Sequence, residues 1–136
     1  MSVATASPRV LVVDDDDAVR GFVERALETG GYAVASAANG REALQRLAQH
    51  GRPFDLFVVD WMMPEMTGSD LATALRRTDP DVKVLYLTGF GDALFTAKGA
   101  LWEHEAFLEK PVSVNGLLEA VSLLLYGHTR GPRPPQ

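Results

Sequence analysis

A doubly wound α/β fold with a five-stranded parallel sheet is predicted by three observations. Short apolar runs, each the length of a buried strand, alternate with segments whose apolar residues recur at helical spacing. Four of those runs stop at a polar or charged residue, which is how open α/β sheets present ligand-binding groups at their strand ends. Glycine, proline and asparagine punctuate the joints between them.

The elements follow in order. Arg9–Val13 reads as a buried strand and runs into four carboxylates, Asp14, Asp15, Asp16 and Asp17. Val19, Phe22, Val23, Ala26 and Leu27 share one helix face. Asp16 or Asp17 caps that helix at the end where the dipole favours negative charge, and Gly30-Gly31 stops it. Residues 32–36 alternate weakly as a second strand. Asn39-Gly40 turns the chain into a helix carrying Ala43, Leu44, Leu47 and Ala48, closed by Gly51 and Pro53. Residues 56–59 are apolar throughout and stop at Asp60, so this strand is central and buried on both faces.

Pro64 and Gly68 mark the loop beyond Asp60, and Thr67-Gly68-Ser69-Asp70 resembles a capping box before Leu71, Ala74 and Leu75. Asp79-Pro80-Asp81 is a turn, and residues 82–87 form a strand ending at Thr88. Gly89-Phe90-Gly91 is a hinge before a weaker helix over residues 92–100. Phe90, Leu94, Phe95, Leu101 and Trp102 supply core residues there and permit a docking patch. Residues 106–109 are a short strand before Lys110-Pro111. Val114, Leu117, Leu118, Val121, Leu124 and Leu125 form the last helix. Right-handed crossovers leave few topologies, and the flavodoxin-like strand order 2-1-3-4-5 is the usual one at this size. It puts the first and third strands side by side, with Asp14 and Asp15 next to Asp60.

Composition bounds the function. A chain of 136 residues defaults to one domain with a real core. A net charge of -5 argues against nucleic acid or an anionic membrane as a direct partner. The absence of cysteine excludes disulfides, thiol catalysis and cysteine-based zinc sites. Residues 1–7 lack the basic and apolar regions of a signal peptide, and no apolar stretch approaches membrane-spanning length. The expectation is a soluble, cytoplasmic protein with flexible termini over residues 1–7 and 127–136, the latter containing two Gly and three Pro.

Parallel strands present their carboxyl ends on one edge, so Asp14, Asp15, Asp60, Thr88 and Lys110 should converge. Three clustered carboxylates repel one another, and a divalent cation relieves that repulsion. Hard oxygen ligands suit Mg²⁺, and no His or Cys among them favours zinc or copper. An aspartate can serve as a nucleophile for a phosphoryl group, with a lysine and a hydroxyl binding its oxygens. The site is therefore expected to make an aspartyl-phosphate.

The chain resembles the receiver domain of two-component response regulators. The resemblance is carried by Val12-Val13-Asp14-Asp15-Asp16, by the stretch from Val58 to Gly68, by Leu87-Thr88-Gly89 and by Phe107-Leu108-Glu109-Lys110-Pro111. It covers residues 8–126. The resemblance implies that Asp60 is the phosphoacceptor, that Asp15 binds Mg²⁺ directly and Asp14 largely through water, and that the backbone carbonyl of Met62 completes the protein ligands. Thr88 and Lys110 would bind phosphoryl oxygens, and Lys110-Pro111 matches a peptide often cis in the family. A switch is implied as well: Thr88 moves inward and the aromatic Phe107 turns in behind it, here without the hydroxyl of the common tyrosine.

The implied partners are a histidine kinase or a histidine phosphotransfer protein. The resemblance is also similar to receivers associated with hybrid histidine kinases. It permits a homodimer through the fourth predicted helix, the fifth strand and the fifth predicted helix. It implies a single-domain regulator without a DNA-binding output domain, which catalyses only its own phosphorylation and dephosphorylation. Met62 is expected at the pocket mouth, where its side chain would impede the attacking water. His50, His104 and His128 are expected at the surface rather than as ligands, and Arg130 and Arg133 in a passive tail.

Two rivals remain. Haloacid-dehalogenase-like phosphatases also use a strand-end aspartate, and Asp14-Asp15-Asp16-Asp17-Ala18 nearly fits their motif. Ala18 breaks it, no acidic pair follows a late lysine, and Asp60 would be left without a role. A receiver fold that no longer uses phosphate is the second; the intact residue set argues against it. A nucleotide-binding kinase is disfavoured, since no glycine-rich Lys-Ser/Thr loop is present.

Overall fold

The computed structural model describes residues 7–49, 53–89 and 104–127. The elements are β1 Arg9–Val13, α1 Asp17–Thr29, β2 Ala33–Ala37, α2 Gly40–Gln49, β3 Leu56–Asp60, α3 Gly68–Thr78, β4 Val84–Thr88, β5 Glu105–Glu109 and α4 Val114–Tyr126. The helix expected over residues 92–100 lies outside the described residues, so α4 names the last helix. Also outside them are Phe90, Gly91, Leu94, Phe95, Leu101, Trp102, His50, Gly51, His128, Arg130 and Arg133.

The five strands form one parallel sheet in the order β2-β1-β3-β4-β5, as the sequence predicts. Val13 lies opposite Val59, so Asp14 and Asp60 leave the same edge of the sheet. Every position of β3 and β4 is buried, which is why their sequences carry no alternation. β2 and β5 are only partly buried at the margins.

The side chains divide into two cores, one on each face. Leu11, Val13, Phe57, Val59 and Tyr86 pack with α2 and α3 through Ala43, Leu71, Ala72 and Leu75. Val10, Val12, Val58, Leu85 and Leu87 pack with α1 and α4 through Val23, Leu27, Leu117 and Val121. Each fully buried Val or Leu contributes roughly 1.5–3 kcal/mol relative to exposure, so these two layers hold the sheet edge that carries the polar residues.

Local chemistry sets the helix ends. The Asp16 carboxylate accepts from the amides of Ala18 and Val19 at 2.9 and 3.1 Å. Thr67 and Asp70 form the expected capping box at α3. Ser113 caps α4, and Gly127 closes it in the left-handed region at φ 78°. Three strand starts differ from expectation, and β5 begins one residue early, at Glu105. The Tyr32 amide donates to the Leu27 carbonyl and closes α1, so β2 begins one residue later. The Val82 amide donates to the Asp79 carbonyl in the preceding turn, so β4 begins at Val84.

Candidate functional site

The turn after β1 brings two of the acids into place. The Asp14 amide donates to the Ala37 carbonyl at 3.2 Å, holding the turn against β2. The Asp14 carboxylate accepts from the Asp16 amide at 2.9 Å. Arg20, one turn into α1, donates from Nη1 to the Asp14 carbonyl at 2.7 Å and from Nη2 to Asp17 at 2.5 Å. Asp14 is thereby buried, whereas Asp15 beside it is exposed. Asp16 and Asp17 are committed to the helix cap and to Arg20, as expected of a cap.

Asp60 ends β3 and is 6% exposed. Asp14, Asp15 and Asp60 each offer a carboxylate oxygen within 4.8 Å of the others. The Lys110 ammonium lies 3.2 Å from Asp60 Oδ1 and 3.3 Å from Asp14 Oδ2. The backbone places it there: the Lys110 amide donates to the Thr88 carbonyl at 2.7 Å, extending the β4–β5 ladder beyond Glu109. The Lys110–Pro111 bond is cis, as the family resemblance suggests. Thr88 is buried at the tip of β4. All five residues expected to converge therefore stand at one edge of the sheet.

The electrostatics follow from that crowding. Burial, and then the charge of Asp14, push the Asp60 carboxyl up to about 6 against the pull of Lys110. Burial likewise raises Asp14. Burial alone would lower the Lys110 ammonium, but Asp14 and Asp60 outweigh it and hold the ammonium above its ordinary value. One cation thus faces three carboxylates. Asp14 Oδ2 is buried and, despite its ion pair with Lys110, has no aligned hydrogen-bond donor. A buried carboxylate oxygen in that state fits a site with room for a further cation, and the all-oxygen donor set suits a hard one such as Mg²⁺.

Met62 is 61% exposed in the loop after Asp60. Phe107 is half-buried, lies directly opposite Tyr86 and packs against the α2–α3 core. His104 is half-exposed and lies 3.8 Å from Asp81, away from the acidic cluster.

Three features were not read from the sequence. Arg20 could have been suspected from its spacing three residues after Asp17. Gly68 looked like a loop signal, yet its reason is contact: a Cβ there would lie 2.7 Å from the Asp60 carbonyl oxygen. Tyr86 was hidden inside an apolar run. Its hydroxyl donates to Glu105 at 2.8 Å, and Arg76 donates to the same carboxylate oxygen at 2.5 Å.

Comparison with known proteins agrees with this geometry. A family model described as the response regulator receiver domain matches residues 10–122. The chain is 39% identical over 121 residues to the sensor kinase CckA of Brucella abortus, covering 89% of this chain and 13% of that protein. It is 34% identical to the response regulator receiver protein CpdR of Brucella abortus, covering 86% of this chain and 96% of that protein. The solved chemotaxis protein CheY4 of Vibrio cholerae superposes with a TM-score of 0.75 at 32% identity, covering 88% of this chain and all of that one.

Proposed function

The chain belongs to the response regulator receiver domain family, and on that premise we propose that it accepts a phosphoryl group on Asp60 from a histidine kinase or a histidine phosphotransfer protein, with Mg²⁺ as cofactor. The observation that carries this reading is the placement of the Lys110 ammonium 3.2 Å from Asp60 Oδ1 and 3.3 Å from Asp14 Oδ2, with carboxylate oxygens of Asp14, Asp15 and Asp60 within 4.8 Å of one another. No other charged cluster of this kind stands among the described residues.

In this reading an Asp60 oxygen attacks phosphorus as the bond from phosphorus to the donor imidazole nitrogen breaks. The bonding pair leaves with the imidazole, which takes a proton from solvent. Lys110 holds one phosphoryl oxygen by charge, and the Thr88 hydroxyl donates to another. Asp15 directly, Asp14 largely through water, Asp60 and the Met62 carbonyl would hold Mg²⁺, which when bound neutralises phosphoryl charge. Water later attacks phosphorus, releases inorganic phosphate and restores the Asp60 carboxylate. The chain is then a signalling domain over residues 8–126 that catalyses only its own phosphorylation and dephosphorylation, in the cytoplasm. No described helix is long and apolar enough to cross a membrane.

The donor needs a surface beside Asp60. An apolar groove of about 490 Å³ is lined by Ala18, Val19, Phe22, Pro111 and Val112 and reaches Lys110 at one end. A helix of the kinase or phosphotransfer protein seated there would bring its histidine to the Asp60 side of Lys110. A homodimer through the fourth predicted helix, β5 and α4 fits the half-exposed Leu123 and Tyr126 of α4.

Transfer from an autophosphorylated, isotopically labelled histidine kinase tests the reading. Label should move to the chain once per molecule with Mg²⁺ present, and p-nitrophenyl phosphate should not be turned over. Catalytic release of p-nitrophenol would support the phosphatase alternative instead.

A further inference from the structure

We propose that Tyr86 is a positioning residue for the switch, carrying a displacement at Asp60 to β5 through its hydroxyl on Glu105. The inference rests on Asp60 being the phosphoacceptor and assigns to β4 a link that Phe107, without a hydroxyl, cannot make.

The path begins at Trp61, the residue after Asp60. Its amide donates to the Leu87 carbonyl at 2.9 Å, and its carbonyl accepts from the Gly68 amide at 3.0 Å. The Trp61 backbone, and with it the root of the indole, is thus fixed to the turn that bears Asp60. It meets the Tyr86 ring edge-on, with centroids 5.2 Å apart and planes at 90°. Interiors this close-packed transmit displacement rather than absorb it. Tyr86 shares its face of the sheet with Thr88 by strand alternation, and pairs directly with Phe107 across the ladder. Its hydroxyl donates to Glu105, two residues before Phe107 on β5.

Glu105 is not there for stability alone. Its side chain is 1% exposed, and Arg76 from the last turn of α3 provides the counter-charge. Arg76 and Tyr86 both donate to the same Glu105 oxygen, and breaking such a buried pair leaves a costly uncompensated charge, so the two donors hold that carboxylate in one place. Burial and the neighbouring Glu105 push the Tyr86 phenol far above its ordinary value. The hydroxyl remains a donor throughout the working pH range. Tyr86 therefore joins three parts of the fold by contact: the Asp60 turn through Trp61, the end of α3 through Arg76 and Glu105, and the strand that carries Phe107.

The test compares wild type, Tyr86→Phe and Glu105→Gln by amide NMR, with Mg²⁺ and beryllium fluoride as the phosphoryl mimic. Melting temperatures are recorded beside the spectra. Tyr86→Phe keeps the ring and removes only the hydroxyl. Glu105→Gln keeps an oxygen for both Tyr86 and Arg76 and loses the charge. In wild type, shifts should move at Trp61 and at Glu105–Glu109. In Tyr86→Phe the Trp61 shift should persist while the β5 shifts are largely lost. Glu105→Gln should melt lower than Tyr86→Phe yet keep more of the β5 response. A purely structural role predicts that response and melting temperature fall together. Unchanged β5 shifts in Tyr86→Phe overturn the inference and leave the phosphoacceptor reading standing. A wild type silent at both Trp61 and β5 removes that reading, and the inference with it.

Discussion

Gly68 backs directly onto Asp60: a methyl group at position 68 would come within 2.7 Å of the Asp60 carbonyl oxygen and 3.2 Å of the Trp61 Cα. Both obstacles are backbone and cannot rotate away. Gly68→Ala should therefore displace the Asp60 turn, even though alanine is the better helix former. Overpacking of this kind costs about 1–3 kcal/mol. Urea denaturation should show that loss, and phosphorylation by acetyl phosphate should slow. Full stability and rate in Gly68→Ala would show that the turn can move freely.

The raised Asp60 carboxyl makes a signed prediction about pH. Its folded value of about 6 stands above the ordinary value of an aspartate carboxyl. Its stabilising contribution is complete below the unfolded value and is lost as pH rises through the folded one. Without Mg²⁺, Asp60→Asn should be more stable than wild type at pH 7 by roughly 2–3 kcal/mol, with the advantage fading towards pH 4. Denaturant titrations at the two pH values measure this. Mg²⁺ should stabilise wild type at pH 7, and that gain should weaken below about pH 6 as protons compete for the same oxygens.

Arg20 holds the Asp14 carbonyl from behind, at 2.7 Å. Partners that orient the ligating side chains themselves are worth about 10–100-fold in metal affinity, and Arg20 acts one step further out, on the backbone of Asp14. Arg20→Met, which keeps much of the stem, should weaken Mg²⁺ binding by up to about tenfold, the lower end of that range. Quenching of tryptophan fluorescence, with Trp61 beside the site, reads the affinity. An unchanged affinity would leave Arg20 as the ion-pair partner of Asp17 only.

Met62 extends into solvent two residues beyond Asp60. Met62→Asn or Met62→Glu should alter the rate at which phosphate is lost. A tenfold change corresponds to about 1.4 kcal/mol in the barrier. Phosphate release after donor removal measures it, and equal rates in all three proteins would remove Met62 from the water path.

Much of this site was legible before any coordinates because chemistry changes abruptly at strand ends. Residues 56–59 are apolar and Asp60 is not; the same break precedes Asp14 and Thr88, and Lys110 follows one with Glu109 between. Parallel topology converts those breaks into one edge, and Asp16 and Asp70 announce helix starts by local hydrogen bonding. What stayed hidden depends on contacts between distant segments. Arg20 looks like a solvated helix residue until its guanidinium is seen on Asp14. Tyr86 passes for another apolar strand residue, because only Glu105, 19 positions later, reveals the hydroxyl's role. Gly68 signals a turn, while the reason for glycine is the backbone of Asp60 behind it.

The central claim is that the acid at the tip of β3 takes the phosphoryl group. Intact-mass spectrometry after incubation with acetyl phosphate and Mg²⁺ tests it most directly. Wild type should gain a single phosphoryl adduct that peptide mapping assigns to Asp60, and Asp60→Asn should gain none. No adduct with any donor, or an adduct that survives in Asp60→Asn, would contradict the account.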